Sequence, residues 1–431
     1  MRIASAVPYV LAASAALGLA GCEELTSALN GDCTTYESEY AVELDKSGEL
    51  LPTISASSES FPMALVLNQV AINDLFARLS DTQLPVLSES IRLLGQEVTL
   101  SVQPEIPLLA IGGNQACIDC LSASVPFSLG VGFNNAEPPT RGGIIDVQMP
   151  VGLIPEGDRK TILNAGFESL QVTGITADFG DVGNTAVTAL EPLLTTLLED
   201  WLRTRFQKQP IATLDSWTLG QGEVLLAGRG PFVYPDSGTM VIAMQSNLPT
   251  DAGTDLEVQT ALPEGADIGI VFHPNLLLAM SRRMNYEGVI PSDVDDAGNS
   301  AVGDGGTMSV TLQQMNTTDD GLLQTSARLW RTDSFCGTAD LTAALGLTVE
   351  PGTFAFSVQD VQIADGQGFG SLFTNDWVAG SFMDSLLTTL DFTVNYDQVF
   401  GGEVEEQSQM GAFQANIDGR GVSVFLNVPG N

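Results

Sequence analysis

The chain has 431 residues and a formal net charge of −37, with 16 Lys plus Arg against 53 Asp plus Glu. A surface this acidic repels phosphate backbones, which argues against nucleic acid as a partner. Hydrophobic residues make up 44% and charged residues only 16%, too apolar for a disordered acidic chain, and the length suits two domains with real cores.

Residues 1–21 read as a targeting segment, with one basic residue, Arg2, ahead of an apolar stretch from Val7 to Leu19. That stretch is short of the ~20 residues a bilayer-spanning helix needs. It closes on Leu19-Ala20-Gly21-Cys22, which resembles the bacterial lipobox. The resemblance implies cleavage before Cys22, acylation of that cysteine with chains such as palmitate, and a lipoprotein of the bacterial cell envelope, in the outer membrane. Cys33, Cys117, Cys120 and Cys336 then remain. They are an even number in an oxidising compartment, with three possible pairings. Cys117-Ile-Asp-Cys120 lacks a thioredoxin-like setting and reads as a structural disulfide. Zinc is disfavoured, because one C-x-x-C has no second pair and His273 is the only histidine. No cofactor is expected.

Residues 22–58 are polar and suit a tether leading into a first strand. Met63–Leu79 follows, an apolar run (Met63, Leu65, Leu67), a polar junction (Asn68, Gln69), then Val70, Ile72, Leu75, Phe76 and Leu79 at helical spacing. Val98, Leu100 and Val102 alternate with polar residues, as do Val125, Phe127, Leu129, Val131 and Phe133, and then Ile145, Val147, Met149 and Val151. Each set predicts a strand with one apolar face. Asn184–Phe206 is the longest helical stretch, striped by Val187, Leu190, Leu194, Leu197, Leu198, Trp201 and Leu202, with Pro192 marking a kink or a later start. Gly238–Pro249 follows a glycine turn as a final strand.

The order then recurs. Met63 aligns with Ile268, an offset of 205 (268 minus 63). Ile268, Ile270 and Phe272 alternate as one strand face, and Pro274 opens a helix with Leu276, Leu277, Met280 and Met284 on one side and Ser281, Arg282, Arg283 and Asn285 opposite. Leu193–Leu197 repeats as Leu386–Leu390 within a predicted helix from about Asn375, and a turn at Asp418–Gly421 leads into a last strand. Two copies of one module are expected, at 59–250 and 251–431.

Strand, short helix, several strands, long helix and final strands in each half resemble the tubular lipid-binding superfamily, which includes bactericidal permeability-increasing protein and the lipid transfer proteins. The resemblance implies an α+β fold of two pseudo-symmetric modules, each a curved antiparallel sheet wrapped around a long helix, with an apolar tunnel for a lipid or other hydrophobic ligand. On that reading Val70, Leu75, Phe76, Leu194 and Leu197 line the first tunnel and Leu277, Met280 and Met284 the second. Methionines suit adaptable apolar sites. The superfamily's lipopolysaccharide binders carry a basic tip that this chain's few cations do not reproduce, so lipopolysaccharide capture does not follow.

Serine-hydrolase, Walker, dinucleotide and H-E-x-x-H signatures are absent, and the lone histidine, His273, falls in a strand-to-helix junction, which takes the commonest general base out of triad schemes, so no enzyme is expected. The acidic loop Ser292–Gly306 has Asp293, Asp295 and Asp304 near calcium-loop positions, but Ala297 stands at the third ligand position, which favours a solvated loop. The alternative is a non-catalytic β-sandwich surface lipoprotein that binds a protein or glycan. A long helix at Asn184–Phe206 distinguishes the two.

Overall fold

The computed structural model describes residues 33–51, 54, 61–79, 84–93, 95–113, 117, 119–133, 140–157, 160–180, 184–207, 210–215, 217–219, 222–250, 256, 260–289, 293–294, 308–332, 336–350, 353–368 and 411–428. Cys22, most of the acidic loop and the predicted helix at 375–390 lie outside them. The described chain is α+β and dominated by antiparallel sheet.

Among the described residues helix α1 (Cys33–Ser47) comes first, where the sequence suggests a tether. The strand and helix expected at Met63–Leu79 follow as β1 (Met63–Asn68) and α2 (Gln69–Leu79). Strands β2 (Leu87–Leu93), β3 (Gln96–Pro104), β4 (Leu108–Ile111), β5 (Cys120–Phe133), β6 (Thr140–Glu156), β7 (Lys160–Ala165) and β8 (Gln171–Ala177) lead to α3 (Asn184–Phe206). After it come β9 (Pro210–Asp215), β10 (Trp217–Leu219), β11 (Gly222–Val224), β12 (Leu226–Tyr234) and β13 (Thr239–Ser246). The later part holds β14 (Ile268–Phe272), α4 (Pro274–Tyr286), β15 (Asp293–Val294), β16 (Met308–Thr317), β17 (Leu323–Arg331), β18 (Gly337–Glu350), β19 (Thr353–Gly368), β20 (Gly411–Asp418) and β21 (Gly421–Asn427).

A six-stranded sheet runs in the order β12-β13-β1-β14-β21-β20, which places β1 and β14 side by side at its centre. Their predicted single apolar faces are buried on both sides, because a central strand is covered above and below. On one face Met63, Leu65, Leu67, Ile268 and Ile270 join Met240, Ile242, Val424 and Leu426 in the larger core. On the other, Ala64, Val66 and Val241 lie beneath Leu256 and Leu262. The outer hairpins turn at Gly238 (φ +63°) and Gly421 (φ +143°), backbone that favours glycine.

An eight-stranded sheet has the order β2-β3-β5-β6-β7-β9, with β4 on β5 and β8 on β6. Val98, Leu100, Val125, Leu129, Ile145 and Val147 alternate into the larger core as their spacing predicts, and there they meet Leu190, Leu194, Leu198 and Leu202 of α3. The helix starts at Asn184 and runs through Pro192 rather than beginning after it. One absent N–H in a helix with four wholly buried leucines is a smaller loss than unwinding its first turns.

The third sheet, β15-β16-β17-β18-β19, carries a smaller core of Val310, Leu312, Leu329, Leu341 and Leu345. The larger core is not confined to the first half, since it includes Ile268, Ile270, Leu276, Met280 and Leu426. Register shifts place bulges in β12, β16, β19 and β20, which bend and twist their strands.

Candidate ligand-binding site

The two helices expected to line tunnels start from matching caps. Asn68 accepts a hydrogen bond from the Ala71 N–H through Oδ1 (2.9 Å), and His273 accepts from the Asn275 N–H through Nδ1 (3.1 Å). These caps sit at the same alignment position, again 205 apart (273 minus 68). Each satisfies a donor that the helix leaves open. Each junction also binds the residues that lead into the other strand, at opposite ends of the β1–β14 pair: the Asn68 amide donates to the Ala266 carbonyl and the Asp267 carboxylate, and the His273 backbone N–H donates to the Pro62 carbonyl. The lone histidine is therefore a cap at this junction.

In the first half the predicted lining residues converge. Leu75, Phe76 and Leu194 are fully buried in the larger core and Leu197 packs against it half-buried. Val70 does not join them; it is 39% exposed, because the second residue of α2 falls on its outer side. Asn73 fixes the helix against β4 by donating to and accepting from the Leu109 backbone, both at 2.7 Å.

Phe76 belongs to an aromatic group that the spacing did not reveal. Its ring lies 6.0 Å from Phe167 and 5.5 Å from Phe206; Phe167 and Phe206 are 5.2 Å apart, and Trp201 meets Phe206 edge-on at 5.4 Å. Phe167 sits in a single 3-10 turn, Phe167–Ser169, so no periodicity marks it. Arg203 of α3 holds that turn by donating to the Glu168 and Leu170 carbonyls while pairing with Glu199. The Trp201 indole N–H is buried in this group with no hydrogen-bond partner among the described residues.

In the second half the lining residues separate. Leu277 and Met284 join the smaller core, whereas Met280 joins the larger one with Leu276 and Ala279. Helix α4 is thus wedged between the two cores. Its expected polar side is covered too: Ser281, Arg283 and Asn285 are buried. Arg282 donates to the Leu312 and Gln313 carbonyls of β16 at 2.8 and 2.7 Å, and Arg283 pairs with Glu287 and donates to the Gly48 carbonyl at the end of α1. A burial this complete is unreadable from α4 alone, because its cover comes from a segment more than 200 residues earlier.

All four remaining cysteines are bonded, Cys33 to Cys336 with Cα atoms 5.3 Å apart and Cys117 to Cys120 at 5.5 Å. The even count expected this, and the structure decides among the three pairings. Among the described residues no helix is long and apolar enough to cross a membrane.

No family model matches the chain. No curated protein matches it either. Solved structures similar to it include P47 of Clostridium botulinum E1, at 11% identity and a TM-score of 0.44, covering 86% of this chain and 99% of that one. A lipopolysaccharide binding protein aligns at 11% identity and a TM-score of 0.37, over 86% of this chain and 99% of that one. P47 from Clostridium botulinum A2 aligns at 10% identity and a TM-score of 0.38, over 85% and 97%. Likenesses this distant leave the reading of the site to the chain's own geometry.

Proposed function

We propose that the chain is a lipoprotein of the bacterial outer membrane, acylated at Cys22, whose halves are two pseudo-symmetric tubular lipid-binding modules. Each wraps a curved sheet around a long helix, and the protein binds or shuttles a lipid or other hydrophobic ligand in apolar tunnels without catalysing a reaction. The observation that carries this reading is the group around Phe76: Leu75, Phe76 and Leu194 converge between α2 and α3, and within that apolar group Trp201 keeps a buried donor with no partner among the described residues. Buried donors are nearly always satisfied, so an orphan among aromatic rings suits an acceptor brought by a ligand, such as an ester carbonyl. Methionines at Met240, Met244, Met280 and Met284 add side chains that adjust to apolar guests. Helix α3 speaks against the sandwich alternative, since two facing sheets leave no room for a 23-residue helix with four wholly buried leucines.

Native mass spectrometry of the purified chain should show a lipid-sized adduct beyond the anchor. Removing that adduct should shift the emission that is lost on Trp201→Phe substitution. A bare chain whose Trp201 emission ignores added lipid overturns the proposal.

A further inference from the structure

The segment before β1 is a strap held at four places. Cys33, the first residue of α1, is bonded to Cys336 in the β17–β18 connection, across 303 residues of sequence. Midway, Tyr40 leans on Trp330 with ring centroids 6.2 Å apart. The Arg328 pKa is raised first by its hydrogen bond to Asp340 and further by the charges of Asp340 and of Glu43 and Glu39 on α1. At the far end the Gly48 carbonyl accepts from Arg283, a cation placed where the α1 dipole is negative. Gly48 itself lies flat on Tyr286, so close that a Cβ would stand 2.5 Å from the ring. Leu51 N–H then donates to the Asn247 carbonyl, just past β13 (2.8 Å).

We propose that this strap selects the face of the molecule that meets the bilayer, presenting the Cys336 end of the five-stranded sheet to the lipid surface. The inference rests on acylation of Cys22. Eleven positions separate Cys22 from Cys33 (33 minus 22), a span of at most about 40 Å and about 20 Å on average if flexible. Strand β17 has nine residues, so its two ends stand about 30 Å apart. The turn at 318–322 is therefore held well beyond the average reach of the anchor, while the Cys336 end is within it. An undocked segment from Cys22 to Leu51 would average about 30 Å and extend to about 100 Å, selecting no face.

The test places a benzophenone amino acid at Thr332, near the disulfide, or at Asp320, in the far turn, in the acylated full chain on phosphatidylethanolamine–phosphatidylglycerol vesicles. Protein that floats with the vesicles is irradiated and its lipid adducts are measured. Thr332 should give several-fold more adduct than Asp320, and the C33S/C336S pair should bring the two yields together. Gly48→Ala, which disturbs only the far end of the strap, should keep the preference. Equal yields in floating wild-type protein overturn the inference alone and need no variant to fold. A chain that does not float overturns the anchor and this inference together.

Discussion

Leu65 and Ile270 are Cα partners in the antiparallel ladder of β1 and β14, and they are also the two residues that coincide when Met63 is laid on Ile268. The next strands continue the relationship: Leu65 pairs with Ile242 on one side, and Ile270 pairs with Val424 on the other. The six-stranded sheet is thus centred on a residue and its counterpart, and neither half has that sheet without the other.

Shared hydrogen bonding at the centre predicts that both halves unfold together. In protein labelled with 5-fluorotryptophan, the native signals of Trp201 in α3 and Trp330 in β17 should vanish at one urea concentration. Leu65→Ala, a wholly buried position, should cost about 2–5 kcal/mol and move both midpoints equally. Separate midpoints would mean that the central sheet does not couple the halves.

Leu277→Trp tests whether the smaller core has room to spare. In a tight core the larger ring costs about 1–3 kcal/mol. In a tunnel wall the ring takes ligand space, so the melting temperature should hold while co-purified lipid falls. Lost stability in a variant whose parent carries no lipid would point to a solid core.

The disulfides should differ in weight. Denatured, unreduced protein should show no free thiol at Cys33, Cys117, Cys120 or Cys336. Because Cys33–Cys336 closes a loop of 303 residues and Cys117–Cys120 one of three, C33S/C336S should lose about 2–5 kcal/mol and C117S/C120S clearly less. Equal losses in denaturant titrations would show that loop closure is not what the long bridge contributes.

Asp418 gives a pH signature. The hydrogen bond from the Arg420 side chain holds its carboxyl below the ordinary 3.8, so its contribution is present above that value and disappears as pH falls through the lowered one. Asp418→Asn keeps an oxygen to accept from the Arg420 N–H but loses the charge. The pair is partly exposed, so the variant should be about 1 kcal/mol or less below wild type at pH 7, and the gap should close as pH falls through the lowered pKa. A difference that persists in acid would assign the effect to turn geometry.

Cys22→Ser should move the protein from the membrane fraction to the soluble envelope fraction. Retention in the membrane would locate its attachment elsewhere.

The sequence by itself determined β1 with α2, β14 with α4, the length of α3 and the inward faces of β3, β5 and β6, because apolar spacing of two or of three to four residues is a local consequence of backbone geometry. It also made disulfides the expectation for the four cysteines. Tertiary structure alone decided that Cys33 meets Cys336, that Leu277 and Met280 part into different cores, and that Arg283 is buried under α1. Nothing within a few residues of those positions records their partners. Helix α1 was hidden for the same reason: its own apolar pattern is weak, and it is held by a bridge, a ring contact and an ion-dipole contact supplied by chain some 240 to 300 residues away. Phe167 was hidden by its place in a single turn, where side chains follow the shape of the surrounding core and no helical or strand period exists to read.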